Sequence, residues 1–275
     1  MSALVDRRSA LPSRLAWAST HRELLASLLR REVRQRYKGS ALGIVWSYLQ
    51  PLLMAGIYSL LFSVLWRSTT VEHYPLFVLC GLAVFAFFQS AVMSGTTSIV
   101  DNASLIKKIW FPREIVVVSS VLSHALAACV MFALVIPAGI YFTPSALKTV
   151  WLLIPVFGLF ILLACGFSLL FATANVYFRD IAHFVGVAFL PWYFLTPVLY
   201  SFSALPGAVH HQALITALRY GNPVAPYVEV IRGALLDGEF PSVVEGLYVL
   251  VVGPAVFALG LWVFQRREDT FAMEL

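Results

Sequence analysis

The sequence predicts an all-α integral membrane protein with six transmembrane helices, and three observations carry that expectation. Of the 275 residues, 60% are hydrophobic and 12% charged, against roughly 45–50% and about 25% in a soluble domain. Asp, Glu, Lys and Arg are absent from 43–66, 75–100, 115–147, 149–178 and 181–218, and 241–265 holds only Glu245. A bilayer core of ~30 Å takes about 20 apolar residues in a helix, so each of these stretches can hold one span. The basic residues are also segregated. With an even number of spans both termini share a side, and that side collects Arg7, Arg8, Arg14, Arg22, Arg30, Arg31, Arg34, Arg36, Lys38, Lys107, Lys108, Arg113, Arg179, Arg266 and Arg267. The other side keeps Arg67, Lys148, Arg219 and Arg232. Positively charged loops stay cytoplasmic, so both termini are expected there. The net charge of +5 then reflects topology and asks for no nucleic-acid partner.

Residues 1–19 carry basic side chains but no continuous apolar run of the signal-peptide kind, and are expected to stay in place as a flexible cytoplasmic N-terminus. Over 20–38 an amphipathic interface helix is expected: Leu25, Leu29, Val33 and Tyr37 step by four with Leu24 and Leu28 beside them, and Glu23, Arg30, Arg34 and Lys38 fall opposite. Such a helix can lie apolar face down in the headgroup layer. Whether it only anchors the chain or also docks a cytoplasmic partner stays open. The remainder, 39–275, reads as a single six-helix domain with spans at about 43–66, 75–98, 115–141, 149–174, 182–200 and 243–265.

The first cytoplasmic loop reads SLIKKIWFPREIVVV over 104–118. Topology accounts for Lys107, Lys108 and Arg113; it does not account for the order Trp110, Phe111, Pro112, Arg113, Glu114, which makes a short amphipathic element that Pro112 can stop before the third span. The second loop holds adjacent Arg179 and Asp180, and an exposed pair of this kind contributes only about 0–1 kcal/mol. After the fifth span, Pro206, Gly207, Gly221, Pro223, Pro226, Gly233, Gly238 and Pro241 interrupt two apolar runs, 208–218 and 224–236. Both are too short to span. They read as re-entrant or interfacial external helices forming a cap or gate, or else as an ordinary structured loop.

Several function classes are a poor fit. The chain has no G-x-x-x-x-G-K-[ST], so it carries no phosphate-binding loop of its own. Within the spans the one carboxylate is Glu245, near an end, which disfavours an ion-driven pump. Asp101, Glu114 and Asp180 are scattered singly, which disfavours an enzyme. The six histidines form no H-E-x-x-H, and Cys80, Cys129 and Cys165 form no C-x-x-C, so no metal or other cofactor is expected. His124 and His183 lie within spans and read as neutral imidazoles bonded inside the bundle or as functional polar groups.

Five ordered motifs carry a resemblance: RYKGSALGIVWSYLQPLL (36–53), LIKKIWFPREI (105–115), NVYFRDI (175–181), TPVLYS (196–201) and YGNPVAPYVEVIRG (220–233). Together they resemble the membrane subunit of type-2 ABC exporters, in the branch that exports O-antigen, capsule and teichoic-acid glycans. The resemblance implies a homodimer in a bacterial cytoplasmic (inner) membrane, paired with two copies of a separate ABC ATPase that holds ATP and Mg. It implies that 107–114 is a coupling helix, that 20–38 is an inward amphipathic interface helix, that the 201–242 helices form an external gate, and that a lipid-linked glycan is the substrate. A sugar path could then use Trp46, Tyr48 and Tyr58, Phe85, Phe87 and Phe88, and Trp192, Tyr193 and Phe194, because aromatic faces stack on the CH-rich faces of sugars and Tyr and Trp add polar handles. The same rings equally suit interfacial belts and helix packing. Export of a hydrophobic drug, lipid or peptide is the alternative within transport; a membrane scaffold or glycan-processing enzyme is the alternative outside it.

Overall fold

A computed structural model describes residues 22–39, 45–65, 73–108, 111–202 and 212–274, and their regular structure is helical. In chain order they form α1 (Arg22–Tyr37), α2 (Trp46–Ser59, running on into a π-helical segment Leu60–Leu65), α3 (Tyr74–Asp101), α4 (Ala103–Lys108) and α5 (Glu114–Phe142). Two 3-10 turns, Pro144–Lys148 and Val150–Leu152, lead to α6 (Leu153–Tyr177), and α7 is Ile181–Leu195. The short α8 (Gln212–Gly221) and α9 (Ala225–Arg232, extended by a π-helical turn Gly233–Asp237) precede α10 (Val243–Arg267). A 3-10 turn, Glu268–Thr270, and the four-residue α11 (Phe271–Glu274) follow. The expected N-terminal segment 1–19 and the loop 203–211 lie outside the described residues.

Four stretches are long and apolar enough to cross a membrane: Tyr74–Asp101, Glu114–Phe142, Val150–Tyr177 and Val243–Thr270. They correspond to the second, third, fourth and sixth expected spans. The first and fifth appear as shorter apolar helices, Leu49–Phe62 and Ile181–Leu195. The expected end of the fifth span at 200 is therefore corrected to 195. The cause is local: Thr196 turns extended (φ −92°, ψ 138°) just before Pro197, a conformation that Pro imposes on the residue before it. Chain carbonyls at 195, 197 and 198 then take side-chain donors in place of helical ones.

Helix α3 is the hub. Most of its apolar stretch, 72%, is buried inside the protein, against 22% for α10, and α2, α5, α6, α7 and α9 pack around it. Its aromatic midsection, Phe85 and Phe88, forms a core with Phe160 of α6, Phe189 of α7 and Tyr227 of α9. The most extensive pairing is α6 on α10, and glycine makes it possible. A Cβ on Gly166 would lie 2.6 Å from the Val256 backbone, and one on Gly260 would run into the Gly166 carbonyl oxygen. In lipid, where tails are as apolar as side chains, this close backbone approach is what drives helices together.

Candidate functional site

The loop 103–114 is built onto a second, separate core. Asn102 ends α3: its Nδ2 donates to the Ser98 carbonyl at 2.9 Å, while its own carbonyl accepts from Leu105 and Ile106 N–H at 3.0 and 3.1 Å, which starts α4. That turn buries Ile106 and leaves Lys107 and Lys108 exposed. Phe111 is buried too, and the two join Leu28 of α1, Ile99 of α3, Ile115 and Val116 of α5, Leu169 and Val176 of α6, Phe264 of α10 and Phe271 of α11 in one cluster. Pro112 and Arg113 are half-buried, and the Pro112 carbonyl accepts the Ile115 N–H at 3.2 Å. Glu114 opens α5 and is buried, with its Oε1 3.4 Å from Gln265 Nε2 of α10; an acid suits the positive end of a helix. Trp110 lies outside the described residues.

Helix α1 packs in part on this cluster. Leu28 is buried and Leu24 and Leu25 are partly buried against the same cluster, so its apolar face meets protein. Glu23, Arg30, Arg34 and Lys38 face outward, as the periodicity requires. Arg179 and Asp180 are exposed at the α6–α7 turn, and His183 is exposed on α7.

A cleft of about 590 Å³ opens between α2, α3, α5 and α7. Four of the expected path aromatics line it: Trp46, Phe85, Phe87 and Tyr193. Trp46 is 56% exposed, whereas Phe85 and Phe87 are buried and form the floor. Tyr58 is partly buried against the main core, and the side chain of Tyr48 lies outside the described residues. Phe88 does not line the cleft. It is fully buried behind it, with ring centroids 5.7, 5.9 and 5.2 Å from Phe160, Phe189 and Trp192. Trp192 faces a different depression, shared with Phe167 and Pro223, and its Nε1–H donates to Asn222 Oδ1 at 2.9 Å. Phe194 points outward, edge-on to Tyr193. Adjacent aromatics on one helix are turned about 100° apart, so a run of three cannot share one wall.

Four polar lining residues were not singled out by the sequence, Arg36, Gln50, Gln89 and Ser90. Arg36 had a signal: it stands three residues after Val33 and seven after Leu29, on the apolar side of α1. His124 also lines the cleft, and its Nδ1 is 3.0 Å from the Ser120 carbonyl. A carbonyl only accepts, so Nδ1 carries the proton and the ring is bonded within its own helix.

At the other end of the bundle, two buried polar residues tie α7 to α9. Asn222 accepts from Trp192 Nε1 and from Val224 N–H, and donates to Thr196 Oγ1 at 2.8 Å and to the Leu195 carbonyl at 3.3 Å. Arg232 Nη1 and Nη2 donate to the Pro197 and Val198 carbonyls at 2.8 and 3.0 Å, and its guanidinium lies 3.5 Å over the Phe77 ring. Burial pulls Arg232 down to about 10, which leaves it cationic at neutral pH. Glu229 is held at 3.0 Å by Arg219 and raised by burial, and Glu245 caps α10 in a reciprocal box with Ser242.

Residues 23–236 match the family of ABC-2 type transporters. The chain is 31% identical over 264 residues to the O-antigen export system permease protein RfbA of Myxococcus xanthus, covering 92% of this chain and 95% of that protein. It is 28% identical over 239 residues to the protein of the same name from Klebsiella pneumoniae, covering 86% and 91%. With the polysialic acid transport protein KpsM of Escherichia coli it shares 24% identity over 255 residues, covering 88% and 93%.

Proposed function

The chain belongs to the ABC-2 type transporter family, and from that membership we propose that it is the membrane subunit of an exporter that moves a lipid-linked polysaccharide outward, driven by a separate ABC ATPase. The relatives named for O-antigen and polysialic acid export favour a glycan over a drug. In this reading α2 and α7 complete six spans, both termini are cytoplasmic, and two copies pair with two ATPases around one path.

The observation that carries the mechanism is the single cluster holding Ile106 and Phe111 together with α1, α3, α5, α6, α10 and Phe271. A push delivered to a short surface loop is normally absorbed locally. Here the exposed face of α4, Lys107 and Lys108, is backed by an apolar cluster that draws on six other helices of the chain. Packed cores are rigid and pass displacement on, so a stroke received at 107–114 moves the bundle. The outward Arg30, Arg34 and Lys38 of α1 widen the charged face offered to the ATPase. Substrate binding falls to the cleft, where Trp46 and Tyr193 offer rings to a sugar above a floor formed by the buried Phe85 and Phe87.

Trp46→Ala and Tyr193→Ala are each expected to lower glycan export while leaving assembly with the ATPase intact, because both rings line the cleft and Trp46 is largely free of the core. Surface polysaccharide measured in cells carrying each variant, alongside copurified ATPase, checks this. Normal export in both variants would overturn the aromatic path.

A further inference from the structure

Gln89 and Ser90 are exposed in the middle of α3, the most buried of the long helices. Gln89 is the sixteenth of the 28 residues of that helix, so at 1.5 Å per residue it stands roughly 22 Å from one end and 18 Å from the other, deep in the bilayer core. Leu82, Ala86, Gln89 and Met93 recur by three and four residues and so share one stripe of α3, and this stripe walls the cleft. Gln50 of α2 and His124 of α5 line the same cleft. Polar groups at this depth are costly unless they pair with one another or serve a path.

These groups are unspent. Elsewhere in the bundle the hydroxyls of Thr96, Ser98, Ser119, Thr173 and Thr196 donate to carbonyls three or four residues back in their own helices. Among the described residues, neither the Gln50 and Gln89 carboxamides nor the Ser90 hydroxyl has such a partner. Each carboxamide brings one acceptor and two N–H donors, and the hydroxyl can do both. His124 Nδ1 is committed to the Ser120 carbonyl, so its Nε2 can only accept. Beside them stand the exposed Trp46 ring and the Tyr193 ring. Donors and acceptors next to a ring face are what a sugar requires, since its hydroxyls both donate and accept while its CH face stacks. A wall built for an acyl chain or a hydrophobic drug needs the rings without the amides. At about 590 Å³ the cleft has small-ligand size, so it holds a short segment of a polymer at a time.

We propose that Gln89 is a specificity-determining residue of the cleft: its carboxamide reads two adjacent hydroxyl groups of the sugar ring held there, accepting from one and donating to the other. The proposal rests on the export reading and narrows its substrate to glycans that present a free vicinal diol to the cleft. Adjacent hydroxyls match the carboxamide because its oxygen and nitrogen are carried side by side on one planar carbon. A site that hydrogen-bonds a hydroxyl rejects a sugar lacking it more sharply than an aromatic wall can, because the amide is then left unpaired inside the bilayer.

The test uses mild periodate, which cleaves the carbon–carbon bond between vicinal hydroxyls and spares isolated ones. Lipid-linked glycan is purified from cells that export through this permease, and half of it is oxidised and then reduced with borohydride so that no aldehyde remains. Equilibrium binding of both halves to the permease–ATPase complex in nanodiscs is the readout. The wild type is expected to hold the intact glycan at least about tenfold more tightly than the oxidised one, as two neutral hydrogen bonds predict. Oxidation also opens the ring and weakens stacking on Trp46, but that part of the preference is independent of Gln89. The decisive quantity is therefore the fall in preference, expected to be about tenfold, in Gln89→Met. Gln89→Asn, with the same amide on a shorter stem, should fall between. Gln212→Met, exposed on α8 outside the cleft, should keep the full preference. Equal binding of intact and oxidised glycan by the wild type, an undiminished preference in Gln89→Met, or an equal loss in Gln212→Met would each overturn the assignment and leave export standing. If Gln89→Met does not assemble with the ATPase, Gln89→Asn decides: an undiminished preference there overturns the assignment as well. Failure of the wild type to bind either form would overturn the export reading itself.

Discussion

Gly166→Leu and Gly260→Leu are each expected to abolish the assembled permease. These glycines are where α6 and α10 touch, and a single Cβ at Gly166 would already sit 2.6 Å from the carbonyl carbon and oxygen of Val256. Obstacles made of flexible side chains can move aside; backbone cannot. Overpacking costs typically about 1–3 kcal/mol where side chains absorb it, and here the helices themselves must separate, which weakens the most extensive helix pairing in the chain. At about 2–4 °C per kcal/mol for a protein of this size, a loss of roughly 10 °C or more in unfolding temperature is expected. Gly158→Leu is the control, since nothing approaches within 4 Å of a Cβ there. A thermal unfolding series in detergent reads all three, and a Gly166→Leu protein as stable as the control would refute the packing account.

Arg232→Met is expected to be the second large loss, at the opposite end of the molecule. Methionine fills much of the same volume but leaves the Pro197 and Val198 carbonyls without donors and removes a cation 3.5 Å above Phe77. Hydrogen bonds to a charged group contribute about 1.5–3 kcal/mol, and a desolvated cation–π contact about 2. Against these stands the relief of no longer burying a charge, which for a fully buried arginine is substantial. The net expectation is about 2–4 kcal/mol of destabilisation after that offset. Arg232→Lys should be intermediate, because one ammonium cannot reach both carbonyls with the same fork. Unfolding temperature and surface glycan should fall together. A wild-type unfolding temperature in Arg232→Met would show that Arg232 does not hold the turn after α7, leaving it to Asn222 and the Tyr74 hydroxyl.

Much of the architecture was legible because its causes are local. Charge-free stretches marked four long helices at 74–101, 114–142, 150–177 and 243–270 to within a few residues, and the prolines and glycines between 206 and 241 marked α8 and α9 as short. The end of α7 was misjudged because its terminator is partly tertiary: Thr196 is followed by proline, but the freed carbonyls are taken by Asn222 and Arg232, which lie some 27 to 35 residues later. The apolar side of α1 is legible in its periodicity, but amphipathicity does not specify that Leu28 meets Ile106 and Phe111. Arg36 was counted as one more positive charge, whereas its phase against Leu29 and Val33 placed it inside. Phe85 and Phe88 are indistinguishable by type and both are core; only tertiary neighbours put Phe85 at the cleft floor and Phe88 behind it, against Phe160 and Trp192. The seven-residue spacing of Gly253 and Gly260 is visible in the sequence; that Leu159 and Gly166 of α6 lie across from them is not.

The central claim is that this chain couples a partner ATPase to export of a lipid-linked polysaccharide through the cluster under α4. The direct measurement is ATP hydrolysis by the permease–ATPase complex in nanodiscs, with purified lipid-linked glycan added in one arm and lipids or hydrophobic drugs in the other. The account predicts that the glycan changes the hydrolysis rate, that drugs do not, and that Phe111→Ala, which empties the middle of the cluster, keeps hydrolysis but loses the response. A rate that follows drugs and ignores the glycan, or a full glycan response in Phe111→Ala, would contradict it.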